Sequence, residues 1–545
     1  MFRINPAEAK RRKNRQQQKN IVLLSNSDFT SGPVYLTQPF TVYKLVEDIE
    51  FNPIPEFNKI FDSLASFPEQ NHHFVLGYFA AIIIVGSDIE LDLNGFTLKQ
   101  SLNHSLQQRF FALIELADRP FLPGQGPANF GSQIKSCNNI LIHNGTLGLS
   151  SHHGIHGNNP TNITIKNLTI FNHEVAGITI NGGNNITIDT VDVRQNYQNI
   201  KVTASFSVAI FTAKKLMIKQ RENPYLTITV DNVAISVDEI IKRLTASITD
   251  AYTDILLNQP IGTINPDSKI YDNSINNGLL DGCCYGITFN SKGLLVNNYK
   301  KQFEGGSQNI NISNVTISDI RCKPEEHLSL TETLLEDLGD NPQTSTSMNK
   351  GAFGDVIRYT ENMDENGKFT NKNNPLILAQ ILAGVKISDT LLEWVNLGTA
   401  DLPQRIEQNL TILNNLDVMA HMFKGTVGLF LSSVFNVNCN NVTIRNIYNY
   451  STTGKEDNIS TNIKYTGART SGVLVASSQQ VSLNNIVIDN IYSESGESYG
   501  IYHYGQNDNV FRNNCKVLSL TTNADNTKQA KLTQHIVQSY GYSSS

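Results

Sequence analysis

Apolar and polar residues alternate along this chain in short runs that recur at a fixed step. "NNILIHNGTL" (138–147), "TNITIKNLTI" (161–170) and "NNITIDTVDV" (184–193) carry the pattern most plainly, with Asn139, Asn162 and Asn185 spaced 23 residues apart. Alternation of period two puts every second side chain on one face, as in a strand with one buried side. Repetition at this step, with one or two short strands per unit, predicts a solenoid in which each coil lays its strand on the one before. Ile140 and Ile142, Ile163 and Ile165, and Ile186 and Ile188 are the predicted inward positions.

More coils follow at looser spacing: "QNINISNVTI" (308–317), "NNVTIRNIYN" (440–449), "QQVSLNNIVI" (479–488) and "DNVFRNNCKVLSL" (508–520). A second strand precedes many of them, as in "AGITINGG" (176–183), "YGITFNSK" (285–292), "VGLFLSSV" (427–434), "SGVLVASS" (471–478) and "YGIYHYGQ" (499–506). Variable coils of this kind predict an all-β solenoid, a right-handed parallel β-helix. About a dozen coils at ~4.8 Å each would make a rod roughly 60 Å long. The Asn139, Asn162, Asn185 set and the pair Asn144 and Asn167 fall at coil corners, where stacked amides bond along the axis. Asn144, Asn162, Asn167, Asn185, Asn311, Asn314 and Asn441 also open N-x-S/T triplets. The repeat itself requires Asn at corners and Thr on strands, so glycosylation is not expected.

The pattern divides the chain into a basic arm (1–20), a lead-in with a helical cap (21–75) and coils over 76–213, 270–323 and 426–521. Helical insertions interrupt the coils at 214–269 and 324–425, and a loose tail (522–545) follows. Phe57, Ile60, Phe61, Leu64 and Phe67 have helical spacing, and a helix there would cover the open end of the coil. Ser236 and Glu239 make a capping box ahead of an apolar helical face. The longer insertion contains the only tryptophan, Trp394. Insertions on a solenoid gather on the functional side.

The lead-in "SGPVYLTQPFTVYKL", then "SDIELDLNGFTL", then the "NNITI" coils resemble the pectin-lyase-like β-helix superfamily over roughly 20–213, 270–323 and 425–521. The Asn- and Ile-rich style and the basic N-terminus also resemble proteins of large amoeba-infecting viruses. The superfamily resemblance implies polysaccharide as the substrate or ligand class. Its polygalacturonase-like signatures (N-T-D, D-D, G-H-G, R-x-K) are missing, "HGIHG" (153–157) being the nearest approach, and so are the pectate-lyase-like patterns. No catalytic residue carries over.

Composition narrows the remaining options. A net charge of −6 argues against nucleic-acid binding by the body of the protein, leaving only the arm with Lys10, Arg11, Arg12, Lys13, Arg15 and Lys19 as a solvated tail or a polyanion patch. The six cysteines lack metal or CxxC spacing and are expected to be buried and reduced. No cofactor is implied. The opening residues lack an apolar signal core and the longest apolar run is too short to span a bilayer, so the expected location is intracellular or virion-associated.

Candidate chemistry comes from the register. The 23-residue step aligns His143, Lys166 and Asp189 on successive coils: a base, a cation and a carboxylate, or a plain cross-strand pair beside a histidine. The same step sets His156 beside Thr179, with His152, His153, His173 and Glu174 close by; solvated corner histidines, an acid–base site and a metal site all fit this cluster. Asp189 with Asp192, and Glu90 with Asp92, are candidate carboxylate pairs for glycoside hydrolysis. Tyr499, Tyr502 and Tyr504 are candidate sugar-stacking aromatics. Together these features predict a scaffold presenting an elongated surface for glycan or protein recognition, as a virion or surface component and in trimeric form. The alternative is a polysaccharide lyase or glycoside hydrolase with an unfamiliar site.

Overall fold

The computed structural model describes residues 19–55, 78–107, 111–120, 134–195, 284–290, 306–322, 426–449, 470–493, 498–504, 507–522 and 536–539, with a hairpin and a few neighbours between 217 and 242. The described chain is nearly all β, in two stacks of parallel strands: a 14-stranded first sheet and a 10-stranded second sheet. Each coil contributes one strand to the second sheet and then one to the first, as His153–Asn158 precedes Thr161–Phe171 and Ala176–Asn181 precedes Asn184–Arg194. The fold is a right-handed parallel β-helix. Among the described residues ten rungs at ~4.8 Å give a rod of about 45 Å.

The register is the one that the repeat predicts, with Ile163 beside Ile140 and Ile186, and Lys166 beside His143 and Asp189. The predicted inward isoleucines are buried in one continuous core that runs the length of the coil. Along Thr161–Phe171 the buried positions are Ile163, Ile165, Leu168 and Ile170, so the inward phase slips by one residue between 165 and 168. Asn167 sits at that slip with φ 52°. A left-handed residue inserted there bends the strand and returns both flanking segments to the core, as a bulge does.

The device recurs every five residues along the longest strands: Asn309, Asn314 and Asp319; Asn436, Asn441 and Asn446; Gln480, Asn485 and Asn490, all with φ between 52° and 60°. The side chains then bond from coil to coil, as Asn185 donates to Asn162 (2.6 Å), Asn436 to Asn309 (2.7 Å) and Asn441 to Asn314 (2.8 Å). Three rungs shift by one residue from the simple ladder: Asn162 donates to Asn138 rather than to Asn139, Asn309 to Asn184 rather than to Asn185, and Asn485 to Asn440 rather than to Asn441. Triplet asparagines Asn144, Asn162, Asn167, Asn185, Asn314 and Asn441 thus hold the left-handed corners of the coil.

A glycine column sets the approach of the two sheets. A Cβ on Gly286 would lie 2.3 Å from an Ile317 methyl and 2.6 Å from the Gly428 carbonyl; on Gly428, 2.5 Å from Ile444 and 2.7 Å from the Gly472 carbonyl. Only a residue without Cβ fits, and Gly154, Gly177 and Gly472 stand in the same column.

Several expectations change. Among the described residues the coil is already present at Asn20–Leu24, paired in parallel with Thr41–Leu45, ahead of the expected start at 76. A short α-helix, Leu102–Gln107, lies within the coil itself. In the tail, Ile536–Ser539 adds a parallel strand beside Ser498–Tyr504. The proposed cap over 56–67, the helices of 324–425 and the basic arm apart from Lys19 and Asn20 lie outside the described residues. So does most of the helix expected after Ser236, although Thr227–Val230 and Val233–Ser236 form an antiparallel hairpin ahead of it. The long sequence intervals between the strands ending at Arg194, Cys322 and Asn449 and those starting at Cys284, Thr426 and Thr470 each join a first-sheet strand to the next second-sheet strand. Among the described residues no helix is long and apolar enough to cross a membrane.

Candidate functional site

The first-sheet row predicted from the register is present but does not converge. His143 Nε2 lies 3.0 Å from Glu90 Oε1, and Lys19 also pairs with Glu90. Burial pushes the Glu90 carboxyl up, but hydrogen bonds from Lys19 and His143 outweigh it and hold the group below its usual range. Asp92 pairs with Lys44 at 3.3 Å. The Asp189 carboxylate turns to the next coil and accepts from Ser313 (2.6 Å) and Asn314 (2.8 Å), which lower its pKa. Asp192 lies beyond the left-handed corner at Thr190 and 3.6 Å from Arg194. Each charge has its own neighbour, so neither carboxylate pair brackets a common reacting atom.

The tyrosines are also reassigned. Tyr499 and Tyr502 are buried and stack on each other at 4.3 Å, against Phe430 and Leu474 of the same outer face. In register Tyr502 follows Leu474 and Phe430 of the preceding coils, so it stacks on an apolar row instead of meeting solvent. The Tyr504 side chain lies outside the described residues.

The second sheet builds a site around the histidines. His156 pairs in register with Glu115, on Ala112–Glu115 of the preceding coil, and with Thr179 on the following one. His156 Nδ1 lies 2.7 Å from Glu115 Oε2, and the Glu115 side chain is 1% exposed. Burial raises the Glu115 pKa, partly offset by His156. His153 stacks on His156 with ring centroids 5.2 Å apart and planes 9° from parallel. Burial, and then the neighbouring His152, His156 and His173, hold His153 well below the ordinary imidazole range, so it is neutral. His152 tilts against His153 at 4.2 Å.

These groups open on a pocket of ≈ 100 Å³. Phe79 and Phe111 form part of its wall, with Asn158 and Asn181 beside the imidazoles in the lining. Asn181 donates to Asn158 Oδ1 (2.9 Å) and lies 3.3 Å from His156 Nε2, while its own Oδ1 accepts from Asn290 (3.1 Å). Asn158 in turn donates to the Pro120 carbonyl. The amides are therefore held by an axial ladder, and they hold the imidazole.

The other predicted members stand apart. His173 is buried with Nε2 3.0 Å from the Tyr285 carbonyl, which makes it a donor at a coil corner. Glu174 is buried too, but the carboxylate on His156 is Glu115. The histidines are buried or half-buried rather than solvated. Parallel stacking of His153 on His156 turns their lone pairs side by side, and no group of three or more His, Cys, Asp or Glu among the described residues could hold a metal. Glu115 was missed because "FALIELA" carries no copy of the 23-residue phrase that set the register; its one signal is a lone carboxylate in an apolar strand.

No protein-family model and no curated protein matches the chain. Among solved structures it is similar to the enzymatically active domain of bacteriophage CBA120 tailspike protein 2, with 7% identity and TM-score 0.26 over 92% of this chain and 42% of that one. It is similar to the mannuronan C-5 epimerase A-module of Azotobacter vinelandii, with 8% identity and TM-score 0.27 over 93% of this chain and 89% of that one. It is also similar to the polygalacturonase of Erwinia carotovora, with 10% identity and TM-score 0.26 over 95% of this chain and 93% of that one. The chain thus spans less than half of the tailspike chain. Overlaps this loose transfer no activity. The fold rests on its own paired registers, which are those of a right-handed parallel β-helix.

Proposed function

We propose that the protein is a β-helix scaffold that recognises a glycan, and that part of a sugar residue enters the pocket bounded by Phe79, Phe111, Asn158 and Asn181. The observation that carries this reading is the pocket itself: aromatic wall on one part, fixed amide and imidazole hydrogen-bonding groups on another. Sites of this composition orient a polar ligand while burying its apolar face. A rigid coil suits the role because the Asn158, Asn181 and Asn290 ladder holds the binding groups before the ligand arrives.

The test is a glycan array probed with the full-length protein, followed by titration of the hits with Asn181→Ala. Asn181 is half-exposed, so the substitution leaves the core intact. The expected result is binding by the wild type and a loss of about tenfold or more in the variant, the weight of a good hydrogen-bond set. Binding to no glycan, or equal binding by Asn181→Ala, overturns the reading.

A further inference from the structure

We propose that the Glu115–His156 pair is a proton-transfer dyad that hydrolyses O-acyl groups on the glycan held in this pocket, an inference that rests on the pocket being the glycan site. Three features of the geometry point to it. First, a carboxylate 2.7 Å from Nδ1 fixes His156 as the Nδ1–H tautomer and directs the Nε2 lone pair away from the dyad. Among the described residues Nε2 meets only a long contact of 3.3 Å from Asn181, which an incoming water can replace. Second, the other carboxylate oxygen, Glu115 Oε1, is buried without a hydrogen-bond partner, in a side chain that is 1% exposed and lines the pocket. An orphaned acceptor of this kind is costly unless something uses it. Third, His153 covers one face of the His156 ring, restricting its rotation.

The lining selects the reaction. Glycoside hydrolysis uses two carboxylates flanking the bond, and elimination beside a sugar carboxylate needs a cation against that carboxylate. Among the described residues the lining supplies one carboxylate, Glu115, and no Lys or Arg. Ester hydrolysis needs one base that can return its proton. A volume of ≈ 100 Å³ admits an acetyl-sized group with one water.

The step balances within the dyad. His156 Nε2 takes a proton from water as the water oxygen bonds to the acyl carbon, and the carbonyl π pair moves onto oxygen. The C=O bond then re-forms, the bond from the acyl carbon to the sugar oxygen breaks, and that oxygen leaves with the proton from Nε2–H. The products are a carboxylic acid and a free sugar hydroxyl. Glu115 is a positioning residue that stabilises the imidazolium while it exists.

The experiment incubates the full-length protein with O-acetylated polysaccharides and measures released acetate. The expected result is turnover by the wild type, with kcat lowered about 10²–10⁴-fold in His156→Asn and KM little changed. Glu115→Gln is expected to lower kcat in the same direction, again with KM little changed. Should either variant misfold, ¹⁵N NMR of histidine-labelled wild type decides: the Nδ1–H tautomer at His156 is required, and an Nε2–H tautomer overturns the proposal. Unchanged turnover in His156→Asn also overturns it. Glycan binding without acetate release overturns the hydrolysis and spares the recognition reading, whereas absent binding overturns recognition itself.

Discussion

Asn314 gives the sharpest test of how the coil is held together. It has φ 54°, donates from Nδ2 to Asp189 Oδ1 at 2.8 Å, and accepts from Asn441 Nδ2 at 2.8 Å. Asn314→Ala removes both bonds and forces a β-carbon residue without local hydrogen bonding to keep a left-handed backbone. The bonds are exposed, so ~0.5 kcal/mol each is a fair loss. The conformation costs Ala a further ~1–2 kcal/mol. The sum is about 2.5 kcal/mol. Asn314→Gly loses the same bonds and escapes the conformational cost, but gains about 0.4–1 kcal/mol of unfolded-chain entropy. Its expected loss is about 1.5–2 kcal/mol. Urea unfolding of the two variants, with an unchanged slope, measures the difference. A Gly variant as unstable as the Ala variant, or less stable, would refute the argument that the left-handed corner is why Asn stands there.

Three other outcomes are expected. Gly472→Ala places a Cβ 2.6 Å from an Ile488 methyl and 2.8 Å from the Gly500 carbonyl, and a backbone atom cannot rotate away; a loss of about 3 kcal/mol is expected by chemical denaturation, and a loss near zero would mean that the two sheets part easily. Asp189 has a lowered folded-state pKa, so its contribution to stability is present above the ordinary value of 3.8 and is lost as pH falls through the folded value. Asp189→Asn is therefore expected to flatten the acid side of the stability profile, read from unfolding curves between about pH 5 and pH 2. Finally, Cys137, Cys284 and Cys439 are buried, with the Cys439 thiol pushed up to about 12 by burial and the Cys137 thiol raised further, while Cys515 is half-buried. Iodoacetamide followed by mass spectrometry is expected to label Cys515 first among these four; equal labelling would show that the coil opens readily.

Much of the fold was legible in the chain because a solenoid writes its tertiary contacts at a fixed sequence interval. The 23-residue step already paired Ile163 with Ile140 and Ile186, and it named the asparagines that bond along the axis. The same logic aligned His143, Lys166 and Asp189, yet alignment in a row is not convergence. His143 and Asp189 chose partners outside the repeat or from the next coil: Glu90 for His143, Ser313 and Asn314 for Asp189. Tyr499 and Tyr502 are sugar-stacking candidates by residue type alone, which does not say what covers them. The structure stacks these tyrosines, three residues apart, on one outer face of the sheet.

The sequence by itself thus determined the class of fold, the coil register, the inward residues and the corner asparagines. All of these follow from local period and repeat spacing, which the chain states directly. Only the tertiary structure decided that Glu115 meets His156. The two lie 41 residues apart, across an irregular coil with no repeat to announce it, and their 2.7 Å contact exists because the strands stack in one register. The left-handed corners and the glycine column fix that register, and the register places a buried carboxylate against one histidine among several.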